Sequence, residues 1–468
     1  MLGDVAKEAA ERFGERTAYI APDGSTMSYA HLDRAADEVA VGLERRGLGE
    51  GDVLALVLPQ CPEYMVAYLA AARLGAITAG VNTRLSAPER RAVLEIADPE
   101  VVIDSTDAVE ELRVRGAAPR ALTDDPDRPV AIVFTSGTTG TPKGAVFCNR
   151  QLDFITQTDT GGKWDGGGPT FAATSFAHLG PMTKLPGNLM RGTTTYVLAR
   201  WRASDALRMI ETHQMVSFGG IPTQVALMLQ ESDFDSYDVS CVKAIVLGGG
   251  PATPALVREA RERFGAALAI RYSCTEAGIG IGTAFDAPLE DAEVSVGRPH
   301  AGVDLELRDV VDGVGEVCLR SPAVMAGYWR APELTEAAIT PDGFVRTGDL
   351  GWIDEEGRLR LVGRSKEMYV RGGYNVYPME VEAVLAAHPS VADVAIAPRP
   401  DDVMGEVGVA VVVPRDGAAA PTLDELTSFA ADRLARYKLP EAVVVADALP
   451  LTAMEKLDRR ALAAMVSD

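Results

Sequence analysis

The chain has 468 residues, too many for one ordinary hydrophobic core, so two or more domains are expected. Apolar residues make up 47% and charged residues 24%, the balance of a soluble globular protein. A formal net charge of −22 argues against binding nucleic acid or anionic membrane by bulk attraction, and it requires any anionic substrate to be held by a local cluster of cations and amides.

The first hundred residues alternate helical and strand patterns. Tyr29 to Arg46 reads as a helix, Val53 to Leu58 as a strand, Glu63 to Leu74 as an amphipathic helix and Ala76 to Gly80 as a second short strand, an order that implies a mostly parallel sheet. The apolar stretch from Val53 to Val81 is broken by Pro59, Pro62, Glu63 and Arg73, so it is not a membrane span, and Met1 to Phe13 has no apolar signal core. A cytoplasmic enzyme without stable membrane insertion is the expectation. Asp104 to Arg128 lacks periodicity and reads as a loop. A second α/β section follows from about 130 to 285, with helices over Ala203 to His213 and Thr253 to Phe264 and strands at Val216 to Phe218 and Ala244 to Val246. Short β runs from Gly302 to Gly327 suggest a small barrel or sheet. After a turn at Gly363 to Lys366, a helix over Pro378 to His388, strands at Val394 to Ala397 and Val407 to Pro414, and a helix over Leu423 to Tyr437 suggest a small α+β domain. The five cysteines are scattered and have no Cys-x-x-Cys pair, so a disulfide framework or zinc site is not expected.

One run carries more chemistry than any other. Thr135, Ser136, Gly137, Thr138, Thr139, Gly140, Thr141, Pro142, Lys143 and Gly144 follow the strand-like Val130 to Phe134. Glycines let backbone N–H groups turn toward an anion, hydroxyls add donors and Lys143 adds a mobile positive charge. Such a loop suits polyphosphate, although no Gly-Lys-Ser/Thr closes it as in the common P-loop. A solvated surface turn is the alternative.

Further motifs follow in order: Gly248-Gly249-Gly250-Pro251, Tyr272-Ser273-Cys274-Thr275-Glu276, Gly315 to Arg320 leading into Met325 to Tyr328, Thr347-Gly348-Asp349, Gly363 to Lys366, Gly372 to Pro378, and Pro450 to Lys456. With the opening loop, this set resembles the adenylate-forming superfamily of acyl-CoA synthetases, peptide-synthetase adenylation domains and beetle luciferases, over nearly the whole chain from about Arg16. Ala435 to Pro440 and Gly372 to Asn375 are most similar to fatty-acid and aromatic-acid CoA ligases.

The resemblance implies an α/β fold: a large N-terminal domain, residues 1–364, of two α/β subdomains and a small β-barrel, then a small mobile α+β domain, residues 365–468. It implies an acid:CoA ligase that uses ATP and Mg2+ to make an acyl-adenylate and then passes the acyl group to coenzyme A. The loop from Thr135 to Lys143 would hold the terminal phosphates, and Glu276 with Thr139 would hold Mg2+. The Gly248–Pro251 run and Tyr272, with Ser273, Cys274 and Thr275 after it, would hold adenine. Asp349 would accept from the ribose hydroxyls, with Arg364 as a second contact. Lys456 would bridge the substrate carboxylate and α-phosphate, and Lys366 would be the hinge of a swing that presents Gly372 and Gly373 to the thiol arm. His178 would gate the acyl pocket, walled by Phe218, Gly219, Gly220 and Ile221 and lined by Met182. The glycines at 219–220 and 278–282 hint at a bulky or long apolar acid.

Two departures bear on the chemistry. The terminal motif of such proteins has Gly before its lysine, where this chain has Glu455, and the adenine motif has Tyr-Gly, where this chain has Tyr272-Ser273. Glu455 beside Lys456 raises the alternative of a ligase that forms thioester from a supplied acyl-AMP while adenylating weakly. Loading of a carrier protein and a non-catalytic nucleotide-binding relative are further alternatives. Oligomeric state is open, a homodimer being one option.

Overall fold

The computed structural model describes residues 1–135, 142–452 and 457–467. The first α/β section is a six-stranded sheet in the order Gly327–Tyr328, Lys143–Cys148, Pro129–Thr135, Ile77–Gly80, Val53–Leu56, Val101–Ile103. The last four of these strands run parallel, while Lys143–Cys148 returns antiparallel to Pro129–Thr135 and puts the Thr135–Lys143 connection at a strand end. Helix Pro62–Leu74 is not amphipathic in place. Tyr64 through Ala71 are all buried, because the helix is apolar on every side and is enclosed by neighbouring elements.

The Asp104–Arg128 connection is more ordered than its sequence suggests. A short helix, Thr106–Glu111, is capped by Ser105, whose Oγ accepts from Ala108 N–H at 3.2 Å. Arg113 then pairs with the buried Glu38 at 2.6 Å, and Glu38 also accepts from Gly116 N–H at 2.9 Å. Gly42 on helix Tyr29–Arg45 lets this segment approach, since a Cβ there would overlap the Leu112 carbonyl.

The second section is a five-stranded sheet. Ser217–Gly220, Ala244–Gly248 and Ala267–Tyr272 are parallel neighbours, followed by the short antiparallel strands Ile281–Gly282 and Arg298–Pro299. Phe218, Ile245, Leu247, Leu268 and Ile270 point into one core with helices Ala203–His213, Pro222–Gln230 and Pro254–Phe264. A four-stranded sheet in which Thr17–Ile20 pairs with Thr194–Tyr196 lies between the N-terminal helices and this section.

The β-rich stretch after residue 302 is an open antiparallel sheet in the order Asp304–Val311, Val314–Arg320, Val345–Ile353, Leu359–Arg364. The expected small barrel is not closed among the described residues. Four strands are too few to curl around a filled interior, and this sheet buries Val317, Leu319 and Leu359 against Ala277 and Ile281. The large N-terminal part is thus α/β with an appended sheet.

The small C-terminal part has its own core, built only from residues after 368. Its sheet holds Tyr374–Val376, Tyr369–Arg371, Gly405–Pro414, Val391–Asp401 and Ala442–Val445, with helices Pro378–Leu385, Leu423–Ala430 and Arg459–Ala464. The helix expected to reach Tyr437 ends at Ala430. Leu434 still packs in the core, but Pro440 holds the preceding residue extended and only a 3-10 turn, Arg436–Lys438, forms before it. No helix among the described residues is long and apolar enough to cross a membrane.

Candidate active site at the strand ends

Three motifs separated in sequence meet at the end of the Lys143 strand. Thr135 and Lys143 face each other across the two antiparallel strands, and close pairing below them depends on Gly144, where a Cβ would sit 2.6 Å from the Ile132 side chain. Gly327–Tyr328 adds to the outer edge of the Lys143 strand, opposite Ala145 and Val146. This places the Lys143 ammonium 5.3 Å from the Tyr328 ring centroid, and Tyr328 donates from its hydroxyl to Glu276 Oε1 at 2.6 Å. The Glu276 carbonyl accepts from Met325 N–H at 2.9 Å, so both ends of Glu276 are fixed. Burial and the Glu276 charge raise the Tyr328 pKa far above the ordinary phenol value, which keeps it a donor. Ser136, Gly137, Thr138, Thr139, Gly140 and Thr141 lie outside the described residues.

A second cluster sits at the end of the second sheet. Gly248, at the end of its strand, is opposite Arg271, and a Cβ there would be 3.0 Å from the Arg271 carbonyl. Gly249 has φ +80°, a conformation that favours glycine, and Gly250 and Pro251 continue the turn. Tyr272 donates to Asp349 Oδ2 at 2.7 Å and is 3.3 Å from Thr347 Oγ1. Arg364, opposite Asp349 in register, reaches Oδ1 through Nε at 2.9 Å. Asp349 is buried while the Arg364 side chain is more than half exposed, so the pair joins the interior to an open edge. Burial first, and then the Asp349 charge, push the Tyr272 pKa well above the usual range. Ser273 donates from Oγ to the Cys274 carbonyl at 3.1 Å, and the Cys274 thiol is held protonated by burial and by Glu276. Thr275 opens the one-turn helix that carries Glu276. The five residues from Tyr272 to Glu276 therefore tie the Asp349–Arg364 pair to the Glu276–Tyr328–Lys143 group.

The residues expected around an acyl pocket divide. His178 caps the start of helix Leu179–Arg191, with Nε2 3.2 Å from Asn82 Nδ2, and Asn82 follows strand Ile77–Gly80. Gly219 is exposed, and a Cβ there would meet nothing closer than 3.7 Å. Gly220 lies against Gln224, and Ile221 starts helix Pro222–Gln230 by donating its N–H to Gln224 Oε1 at 3.2 Å. Met182 and Phe218 are core instead. Met182 is fully buried with its sulfur 3.8 Å from the Tyr64 hydroxyl, and Phe218 stacks 6.0 Å from Phe171 and tilts 5.3 Å from Phe264. The glycines at 278 and 280 leave no free volume either: a Cβ would meet the Ala323 or Tyr272 carbonyl, each at 2.5 Å. They answer to backbone packing.

Gly372 (φ +56°) and Gly373 (φ +88°) are the two central residues of a tight hairpin, with Arg371 opposite Tyr374. Lys366 lies exposed in the turn where Ser365 N–H reaches the Gly348 carbonyl at 2.9 Å. Lys456 and Glu455 lie outside the described residues. Leu451 and Leu457 on either side pair in an antiparallel bridge, and Arg459 holds Glu382 at 2.7 Å and Glu367 at 3.1 Å.

A family model described as AMP-binding enzyme matches residues 6–329, and the AMP-binding enzyme C-terminal domain matches residues 380–456. The chain belongs to the AMP-binding enzyme family. Membership places it among the adenylate-forming enzymes. Among curated family members, it is 32% identical to a feruloyl-CoA synthase of an Amycolatopsis species, covering 93% of each chain. It is 30% identical to a fatty acid–acyl-carrier-protein ligase of Streptomyces coeruleorubidus, over 94% of this chain and 92% of that one. Among solved structures, the o-succinylbenzoate CoA synthetase of Bacillus subtilis, in complex with its acyl-adenylate intermediate, superposes with a TM-score of 0.85 at 29% identity, covering 98% and 97% of the two chains.

Proposed function

We propose that this family member is an AMP-forming acid:CoA ligase that works in two half-reactions. A carboxylate is a poor acylating agent because its leaving group is oxide. Attack by the acid on the α-phosphate of ATP releases pyrophosphate and gives an acyl-adenylate, and the CoA thiol then displaces AMP. In-line transfer at phosphorus depends on positioning and charge neutralisation more than on covalent help from the protein.

The observation that carries the reading is the five-residue tie between the two clusters. Asp349 offers acceptor oxygens for the ribose diol and Arg364 a cation beside them. Four residues beyond Tyr272, Glu276 offers a carboxylate hydrogen-bonded to Tyr328, whose ring lies beside Lys143 at the root of the Thr135–Lys143 loop. Among the described residues, no group of three or more His, Cys, Asp or Glu forms a metal cage. A single carboxylate suits Mg2+, which usually takes one or two carboxylates together with substrate phosphates and water. Glu276, with Thr139, would hold that ion, and bound there it would neutralise charge on the phosphates. Tyr328 fixes the Glu276 carboxylate for this role.

Lys456 is assigned to the carboxylate and α-phosphate during adenylation. The part from residue 365 onward then turns about Lys366, which withdraws Lys456 and brings the Gly372–Gly373 turn to the thiol channel, a cytoplasmic CoA pool supplying the acceptor. His178 closes the acyl side. Support for free CoA comes from the feruloyl-CoA synthase relative. The carrier-protein ligase among the relatives supports the second reading, acyl transfer to a phosphopantetheinylated carrier. The expected long or bulky apolar acid now rests on Gly219 alone. The test is a panel of acids with ATP, Mg2+ and either CoA or a carrier, with mass detection of adenylate and thioester. Absence of both products across the panel would overturn the ligase reading.

A further inference from the structure

The parallel strands of the second sheet have two faces, because successive side chains alternate. Phe218, Ile245, Leu247, Leu268 and Ile270 take the face packed against helices. Gly219, Val246, Gly248 and Arg271 take the other, and the register puts Gly219 beside Val246 and Gly248 beside Arg271. This second face is built from small residues and ends in a guanidinium, one residue before Tyr272.

Arg271 is partly buried and has no carboxylate partner among the described residues. Its Nη1 donates to the Ile270 carbonyl at 3.0 Å and to the Thr283 carbonyl at 2.6 Å, and the Phe285 ring centroid lies 5.8 Å away. Nε and Nη2 make no hydrogen bond with described residues. His300 borders the same glycine: a Cβ on Gly282 would be 2.7 Å from Arg271 Nη1 and 3.1 Å from His300 Nε2. On helix Leu179–Arg191, the residues Gly180, Lys184, Gly187 and Arg191 share one stripe, and a Cβ on Gly180 would meet open space. Lys184 lies 3.9 Å and Arg191 2.9 Å from Asp159. Burial opposes the charge on Asp159, but Lys184 and Arg191 outweigh it and keep the carboxyl below its ordinary range, with Arg271 acting in the same direction. Burial, Arg271 and Lys184 hold the His300 imidazole neutral.

Lys184 and Arg191 thus pair with one carboxylate, and Arg271 adds a third positive charge to its electrostatic surroundings without an ion pair of its own among the described residues. Arg271 is the member of this group with unmet donors, Nε and Nη2, and a visiting anion would satisfy them. His178 stands at the start of the same helix, six residues before Lys184, which spans about 9 Å along the axis. One end of the helix therefore borders the proposed reacting carboxylate and the middle borders the cation cluster.

We propose that Arg271, Lys184 and His300 form a distal anion site, and that the acid this enzyme activates carries a second negatively charged group at its far end, in the simplest form a dicarboxylate. The inference rests on the ligase reading and names the substrate class for that site. Arg271 offers two unpaired donors in a fork that matches a carboxylate, Lys184 offers a mobile charge and neutral His300 an N–H. A purely structural Arg271, pinning its strand to Thr283, is the competing explanation.

The test uses matched linear acids of about three to eight carbons, each length as monocarboxylate and dicarboxylate, in acid-dependent ATP–pyrophosphate exchange and thioester formation with the intact protein. At the best length the dicarboxylate should exceed its monocarboxylate partner in kcat/KM by about tenfold or more, the worth of a charge-assisted contact. Arg271→Gln should bring that ratio close to one, chiefly through the KM of the dicarboxylate, and the half-exposed Lys184→Gln should lower it part of the way. A preference for monocarboxylates in the unaltered protein, or an equal loss for both acids in Arg271→Gln, would refute the distal site and leave the ligase reading intact. Failure of every acid to give exchange or thioester would remove both.

Discussion

Asp349→Asn makes the sharpest use of the site geometry. The buried carboxylate accepts from the Tyr272 hydroxyl at 2.7 Å and from Arg364 Nε at 2.9 Å. An amide can satisfy both neighbours. Its oxygen can accept from Arg364 while its NH2 donates to the Tyr272 oxygen, and the Tyr272 O–H can turn to Thr347 Oγ1, already 3.3 Å away. Folding should therefore survive. The loss is one charge-assisted hydrogen bond, about 1.5–3 kcal/mol at most, reduced because the Arg364 side chain is half in solvent. At roughly 2 cal/mol/K per residue for the large part, that corresponds to a fall of only a few degrees in Tm.

The effect on nucleotide should be larger. A ribose diol needs acceptors, and the substitution replaces two anionic acceptor oxygens with one neutral oxygen that already accepts from Arg364. The KM for ATP in acid-dependent pyrophosphate exchange should rise about ten- to hundredfold, the equivalent of that lost contact. The control is 2′-deoxy-ATP. The unaltered protein should handle it worse than ATP, and the variant should show little further loss, since the two changes remove the same interaction. Full retention of ATP-over-deoxy-ATP discrimination in Asp349→Asn would refute the assignment of Asp349 to the ribose.

Other expectations are independent of this one. Tyr328→Phe removes the 2.6 Å donor to Glu276 and should raise the Mg2+ concentration needed for half-maximal exchange several-fold; an unchanged Mg2+ titration would count against Glu276 as the metal carboxylate. Gly280→Ala places a Cβ 2.5 Å from the Tyr272 carbonyl and should cost about 1–3 kcal/mol in thermal unfolding, where an unchanged Tm would show that the backbone gives way. Gly373→Ala, at φ +88°, should slow thioester formation from a supplied acyl-adenylate more than it slows pyrophosphate exchange, and equal slowing of both would argue that the turn is only structural. Glu455→Gly should raise exchange if the carboxylate opposes Lys456, and robust exchange in the unaltered protein would remove the idea of a ligase confined to the thioester step.

The sequence made the order of motifs readable because each is local: a glycine–hydroxyl run, a tyrosine four residues before a glutamate, an aspartate after Thr-Gly. Helix Ala203–His213 matches its expected bounds because its apolar residues repeat at helical spacing. What stayed hidden was set by partners far away in the chain. Tyr328 was visible as a residue but gave no sign of its bond to Glu276, 52 positions earlier. Met182 and Phe218 are apolar residues next to suggestive motifs, and only packing shows that both face a core. The glycines from 278 onward could not be told apart as room for substrate or room for backbone until their neighbours were known. Nothing in the sequence marks Arg271, which precedes the motif, because the groups around it come from a helix and a loop distant in the chain.

The segment from Tyr272 to Glu276 has a consequence for how errors spread. On the proposed assignments, a shift of even a fraction of an ångström in this short span would move the grip on the sugar and the grip on the phosphate end together, so the two ends of a nucleotide would not be retuned separately. Ser273 sits inside that lever, next to Tyr272, and exchanging it for a bulkier side chain should register as simultaneous loss of nucleoside recognition and of divalent-ion dependence.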